Sequence, residues 1–67
     1  MLGIEVEQEE DGRWIAEVTA LAGALAYGAT ETEARSRAAA LACRMIADLI
    51  EHGEPVPEEA REFFTLA

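Results

Sequence analysis

The sequence predicts an α+β fold: a three-stranded antiparallel meander, one long helix packed on one face, and a short C-terminal strand, in the order βββαβ. Two periodicities and one composite segment predict it. From Leu2 to Glu9 apolar and acidic residues alternate, with Leu2, Ile4 and Val6 on one side and Glu5, Glu7 and Glu9 on the other, the period of a half-buried strand. Apolar residues then recur at helical spacing from Ala34 to Ile50. Between them, DGRWIAEVTALAGALAYGATETEA holds a hairpin turn, a Trp-bearing strand, a Gly-centred loop, a short strand and a helix start.

The second strand spans Arg13 to Thr19, with Trp14, Ala16 and Val18 on one face. A two-residue loop at Asp11-Gly12 would pair Val6 with Glu17 and mix the two faces. A three-residue loop, Glu10-Asp11-Gly12, pairs Val6 with Ala16, Ile4 with Val18 and Glu9 with Arg13. It also puts Gly12 third in the loop, where this turn commonly needs a left-handed residue. A loop around Leu21-Ala22-Gly23 follows, then a third strand from Ala24 to Gly28. Thr30 and Glu33 form a capping box: the hydroxyl accepts from the first turn and the glutamate reaches back. The helix runs to about His52, Gly53 supplies the stop, and Pro55 and Pro57 block continuation. Glu58 to Glu62 suit one more helical turn, and the final FFTLA has the composition of an edge strand returning to the sheet.

With 67 residues the chain is one domain, residues 1–67. A chain this size buries only about 60% of the surface its unfolded form exposes, and small scaffolds usually add a disulfide, a metal or a partner. Cys43 is the sole cysteine and His52 the sole histidine, so neither an intrachain disulfide nor a His-Cys zinc site is available. Oligomerisation is the remaining staple. On a helical wheel Ala34, Ala38, Leu41, Ala42, Met45 and Leu49 form a stripe about 100° wide, enough for one sheet face. Ala39, Cys43, Ile46 and Ile50 continue the apolar arc, which predicts contact with a second copy.

Fourteen acids stand against five arginines and no lysine, a net charge of −9. That excludes direct binding to nucleic acid, which needs a basic footprint, and suits a basic partner. The N-terminus has no basic region followed by an apolar run, and no stretch approaches the roughly 20 apolar residues of a membrane span. The expectation is a cytoplasmic protein without a membrane partner.

Asp11, Gly12, Trp14, Ala16, Glu17, Gly23, Gly28, Thr30, Glu33 and Ala34 together make a composite pattern, DGRW…AE…G…YGAT…EA. With the tail HGEPVPE it resembles the N-terminal domain of the HicB family of bacterial antitoxins over nearly the whole chain. The resemblance implies a partial ribonuclease-H-like βββαβ fold. It also implies neutralisation, by protein–protein binding, of a small, basic, mRNA-cleaving HicA-type toxin of a type II toxin–antitoxin system. The family often has prolines in the loop before the third strand, where this chain has Thr19 and Ala22. Many members carry a C-terminal DNA-binding domain, which has no counterpart in these residues, so transcriptional repression is not expected of them.

Glu5, Glu7 and Glu9 share a strand face, with Glu17 opposite Glu5. Metal catalysis needs converging carboxylates, whereas these project in a parallel row; a solvated or toxin-facing acidic surface is the expectation. With Ala24, Ala26 and Gly28 under the helix, Ile15, Leu25 and Tyr27 join that outer face, and an apolar patch rimmed by acids suits a protein interface. Trp14 reads as core or hairpin packing, His52 as a favourable charge at the helix C-terminus and Cys43 as a small apolar filler. No nucleophile–base pair is apparent, so no enzyme activity and no cofactor are expected. The alternative to the antitoxin is a stand-alone homo-oligomeric binding module of unknown ligand, also not an enzyme.

Overall fold

A computed structural model describes residues 2–62. Three antiparallel strands, β1 (Ile4–Gln8), β2 (Trp14–Val18) and β3 (Leu25–Gly28), form one sheet in sequential order. Helix α1 (Glu31–Glu51) packs on one face of the sheet, and a single turn, α2 (Glu58–Arg61), follows. The architecture is α+β, as expected. The expected C-terminal strand over residues 63–67 lies outside the described residues. The Cα trace measures 45 × 19 × 15 Å, the thickness of two layers, and among the described residues no helix or strand lies on the second face of the sheet. No helix among the described residues is long and apolar enough to cross a membrane.

The hairpin has the register required by matching the apolar faces: Ile4 pairs with Val18, Val6 with Ala16 and Glu5 with Glu17. Its loop is closed by Glu9 N–H donating to the Arg13 carbonyl at 2.7 Å and Gly12 N–H to the Glu9 carbonyl at 3.0 Å, with Gly12 at φ 91°. Leu21, buried in the next loop, anchors the turn that sends the chain into β3. Thr30 caps α1, its Oγ1 accepting from Glu33 N–H at 3.1 Å. Glu33 reaches back one residue further than in the usual capping box, taking the Ala29 N–H at 3.1 Å. At the other end Glu54 N–H bonds to the Leu49 carbonyl and Gly53 N–H to the Ile50 carbonyl, the paired bonds of a Schellman stop.

The core is built from small side chains. Ala16, Ala24, Ala34, Ala38, Ala42 and Ala60 are buried, and among the described residues Val18 is the largest that is fully buried. Trp14 is half-buried and packs against this cluster, as do Ile4, Val6, Met45 and Leu49. The tightest point is between β3 and α1. A Cβ on Gly28 would lie 2.5 Å from the Ala34 backbone nitrogen, so strand and helix meet backbone to backbone there.

One assignment on the helix is corrected. Ile46, expected on the outer arc with Ala39, Cys43 and Ile50, is buried in the core. The buried row is Ala34, Ala38, Ala42 and Ile46, spaced at i, i+4; each step along such a row turns about 40° around the helix, so it drifts away from the expected stripe. A 21-residue helix is also roughly 30 Å long and outruns strands of about 17 Å. Beyond the strands, Leu2 and Ala60 stand beside Ile46 and line a groove with it. Leu41, expected on the sheet side, is half-buried.

Gly28→Ala is expected to lower unfolding stability by about 3 kcal/mol, because the added methyl meets backbone that cannot yield. Gly3→Ala, where a Cβ meets nothing within 4 Å, is expected to stay within about 0.5 kcal/mol of the parent. Urea unfolding of the two variants checks this; equal stabilities would remove the close approach as a constraint.

Candidate protein-binding face

Because alternate residues of a strand point to opposite faces, burying Ala16, Val18 and Gly28 under α1 drives their neighbours out. The pairing places them in two rows across the outer face: Glu5–Glu17–Leu25 and Glu7–Ile15–Tyr27. Together Glu5, Val6, Glu7, Ile15, Glu17 and Leu25 line a shallow trough of about 420 Å³. Among the described residues Leu25 and Tyr27 are the two exposed large apolar ones, at 40% and 39%. Of the expected face residues, all but Glu9 come together. Glu9 falls one residue past the end of β1, half-buried at the turn, where its backbone closes the loop.

The charges on this face differ from those elsewhere. Three arginines pair locally: Arg13 with Asp11 at 2.7 Å, Arg35 with Glu31 at 3.2 Å and Arg37 with Glu33 at 3.1 Å. No cation among the described residues pairs with Glu5, Glu7 or Glu17. Glu5 and Glu17 are moreover direct cross-strand partners, an arrangement of like charges that costs stability. Nothing in the packing compensates for it, and local conflicts of this kind collect at functional surfaces.

Arg13 closes the far end of the face and was not identified from the sequence. Its guanidinium carbon lies 4.6 Å from the centroid of the Tyr27 ring, in cation–π contact, while its Nε donates to Asp11 Oδ2 at 2.7 Å. The available signal was the diagonal: Tyr27 pairs with Ile15, and the residue two positions before Ile15 reaches the same ring. The Asp11 carboxyl is held below its ordinary value of 3.8, chiefly by the hydrogen bond from the Arg13 backbone N–H and further by the guanidinium.

The expected oligomer residues sit on the other side of the molecule. Cys43, Ile46 and Ile50 line an apolar groove of about 520 Å³ with Leu2, Ala47, Glu51 and Ala60. Ile46 forms its buried floor, Cys43 is exposed, and Ala39 lies outside it on the exposed side of α1. His52 is exposed at the helix end, its Nδ1 2.8 Å from the Asp48 carbonyl oxygen and 3.3 Å from Asp48 Oδ1. Among the described residues no group of three or more His, Cys, Asp or Glu side chains could hold a metal ion.

No protein-family model, no curated protein and no solved structure matches this chain.

The Asp11 geometry makes a pH prediction. A folded-state value below 3.8 means that the carboxylate's stabilising contribution is present above that pH and is lost as pH falls through the lower folded value. NMR titration of the Asp11 carboxyl carbon is expected to show a midpoint below 3.8. Arg13→Ala raises it only in part, since the backbone N–H remains. A midpoint at or above 3.8 in the parent would contradict the turn geometry.

Proposed function

We propose that this chain is a HicB-like antitoxin that binds and neutralises a small, basic, RNA-cleaving HicA-type toxin through the outer face of its sheet. The observation that carries the reading is the set of carboxylates Glu5, Glu7 and Glu17, without a cation partner among the described residues, set beside Ile15, Leu25 and Tyr27 on a face that no other described element covers. An apolar centre rimmed by charge is the ordinary anatomy of a protein interface, and a net charge of −9 steers a basic partner toward it. The composite sequence pattern supplies the family. On this reading the protein acts in the cytoplasm, by occlusion rather than chemistry, and needs no cofactor.

The test is inhibition of RNA cleavage by a purified HicA-type toxin from the same genome. The parent chain is expected to inhibit, more strongly at low than at high salt. The triple variant Glu5→Gln, Glu7→Gln, Glu17→Gln is expected to inhibit at least about tenfold less well while unfolding no more easily than the parent. Undiminished inhibition by the triple variant would eliminate this surface.

The alternative, a homo-oligomeric binding module whose ligand is not a toxin, draws on the apolar groove and on a core in which Val18 is the largest fully buried of the described residues. A second copy over that groove would add burial that the alanine core lacks. Cys43→Glu tests the oligomer, because Cys43 is exposed and the change leaves the monomer's packing alone; Ile46→Asp would instead unfold it. Sedimentation is expected to show an oligomer for the parent and a folded monomer for Cys43→Glu. A monomeric parent would remove the second copy from both readings.

A further inference from the structure

The outer face of the sheet is divided lengthwise by chemistry. β1 sends carboxylates to it, Glu5 and Glu7; β3 sends apolar side chains, Leu25 and Tyr27; β2 lies between them with Glu17 and Ile15. Same-face residues of a strand repeat at about 7 Å, and β1 and β3 are two strand spacings, roughly 10 Å, apart. An acidic column and an apolar column therefore run side by side, with the trough of about 420 Å³ between them. Arg13, over the Tyr27 ring, closes one end. The described chain ends on the other side of the sheet, where Ala60 lines the groove with Ile46 and Ile50. Positions 63–67, FFTLA, hold no cation, so the neutralising charge for Glu5, Glu7 and Glu17 has to come from another molecule.

We propose that a protein partner lays an amphipathic α-helix along this face, parallel to the strands, with lysine or arginine on the flank over β1 and apolar residues on the flank over β3. This rests on the reading of the outer face as the site of a basic partner, and it names the element that partner offers. The dimensions select a helix. Its residues i and i+4 lie about 6 Å apart along the axis, close to the repeat of both columns, and its width of roughly 10–12 Å spans them. A lone strand laid flat there would leave its own N–H and C=O groups unpaired. A second sheet would need an apolar facing layer, whereas three of the six side chains here are carboxylates. A second copy of this chain would bring another charge of −9 to an acidic face. Arg13 repels cations at the Tyr27 end, so the basic flank settles over Glu5, Glu7 and Glu17. Apolar anchors at helical spacing would hold such a partner and the charged flank would select it.

Titration of the full chain with designed peptides, followed by NMR and circular dichroism, tests the inference. The probe is a capped, alanine-based helical peptide with leucines at i, i+4 and i+7 and lysines along one adjacent flank. One control replaces its lysines with glutamates; a second has the same composition with lysine and leucine in strict alternation, the pattern of a strand. The helical lysine peptide is expected to gain helicity on binding and to shift the signals of Glu5, Glu7, Ile15, Leu25 and Tyr27 but not those of Ala39 and Cys43. It is expected to bind at least about tenfold more tightly than the glutamate peptide, and Glu5→Gln with Glu7→Gln, or Leu25→Ser alone, to weaken it several-fold. Tighter binding of the alternating peptide to the same face would overturn the helix and leave the basic partner standing. No binding of the helical peptide, or contacts from residues 63–67 to Leu25 and Tyr27 in the free chain, would also overturn the helix. Equal affinity for the lysine and glutamate peptides would overturn the basic partner, and with it the reading on which the inference rests.

Discussion

The distance between β3 and α1 governs the rest of this molecule. Only a hydrogen fits at Gly28, where any side chain would strike the Ala34 backbone, and α1 begins three residues later under a Thr30 cap. A helix held that close to a sheet leaves room only for small residues beside the contact, while Val18, Leu21 and Ile46 fill the core farther from it. The inner surfaces are accordingly Ala16 and Ala24 facing Ala34, Ala38 and Ala42. Close contact compensates in part for small size, because dispersion depends steeply on separation, but the apolar area taken from water remains modest. Trp14, Ile4, Val6, Met45 and Leu49 pack around this alanine layer, and other large apolar residues lie away from it.

Their placement divides the molecule by role. Ile15, Leu25 and Tyr27 lie on the outer face of the sheet, while Ile46 and Ile50 line a groove at the far end of the helix. The strand period fixes the first group: once Ala16 and Val18 point inward, Ile15 and Glu17 must point outward. Acidic residues follow the same rule, so carboxylates and apolar groups interleave in two rows. Glu31 and Glu33 of the helix have arginine partners at i, i+4; among the described residues those of the sheet have none, and two of them oppose each other. A basic surface arriving from outside is the simplest way to relieve that repulsion.

Much of this was legible in the sequence wherever the deciding physics was local. The hairpin register followed from parity, since only a three-residue loop brings Ile4 and Val6 together with Val18 and Ala16. The Thr30 cap and the stop at Gly53 were likewise readable from residue type and spacing. Ile46 was misplaced because a helical wheel assumes that contact runs along the axis, whereas the buried row follows i, i+4 and meets residues from both ends of the chain. Arg13 over Tyr27 was missed because it links two strands diagonally.

The central claim is that the sheet side meets the partner and the helix side does not. The most direct test is a hydrogen-exchange footprint of the chain alone and in complex with a HicA-type toxin. The account predicts slowed exchange within residues 4–8, 14–18 and 25–28 and no change along the exposed side of α1. Slowed exchange concentrated around Ala39, Cys43 and Ile50, with the strands unaffected, would contradict it.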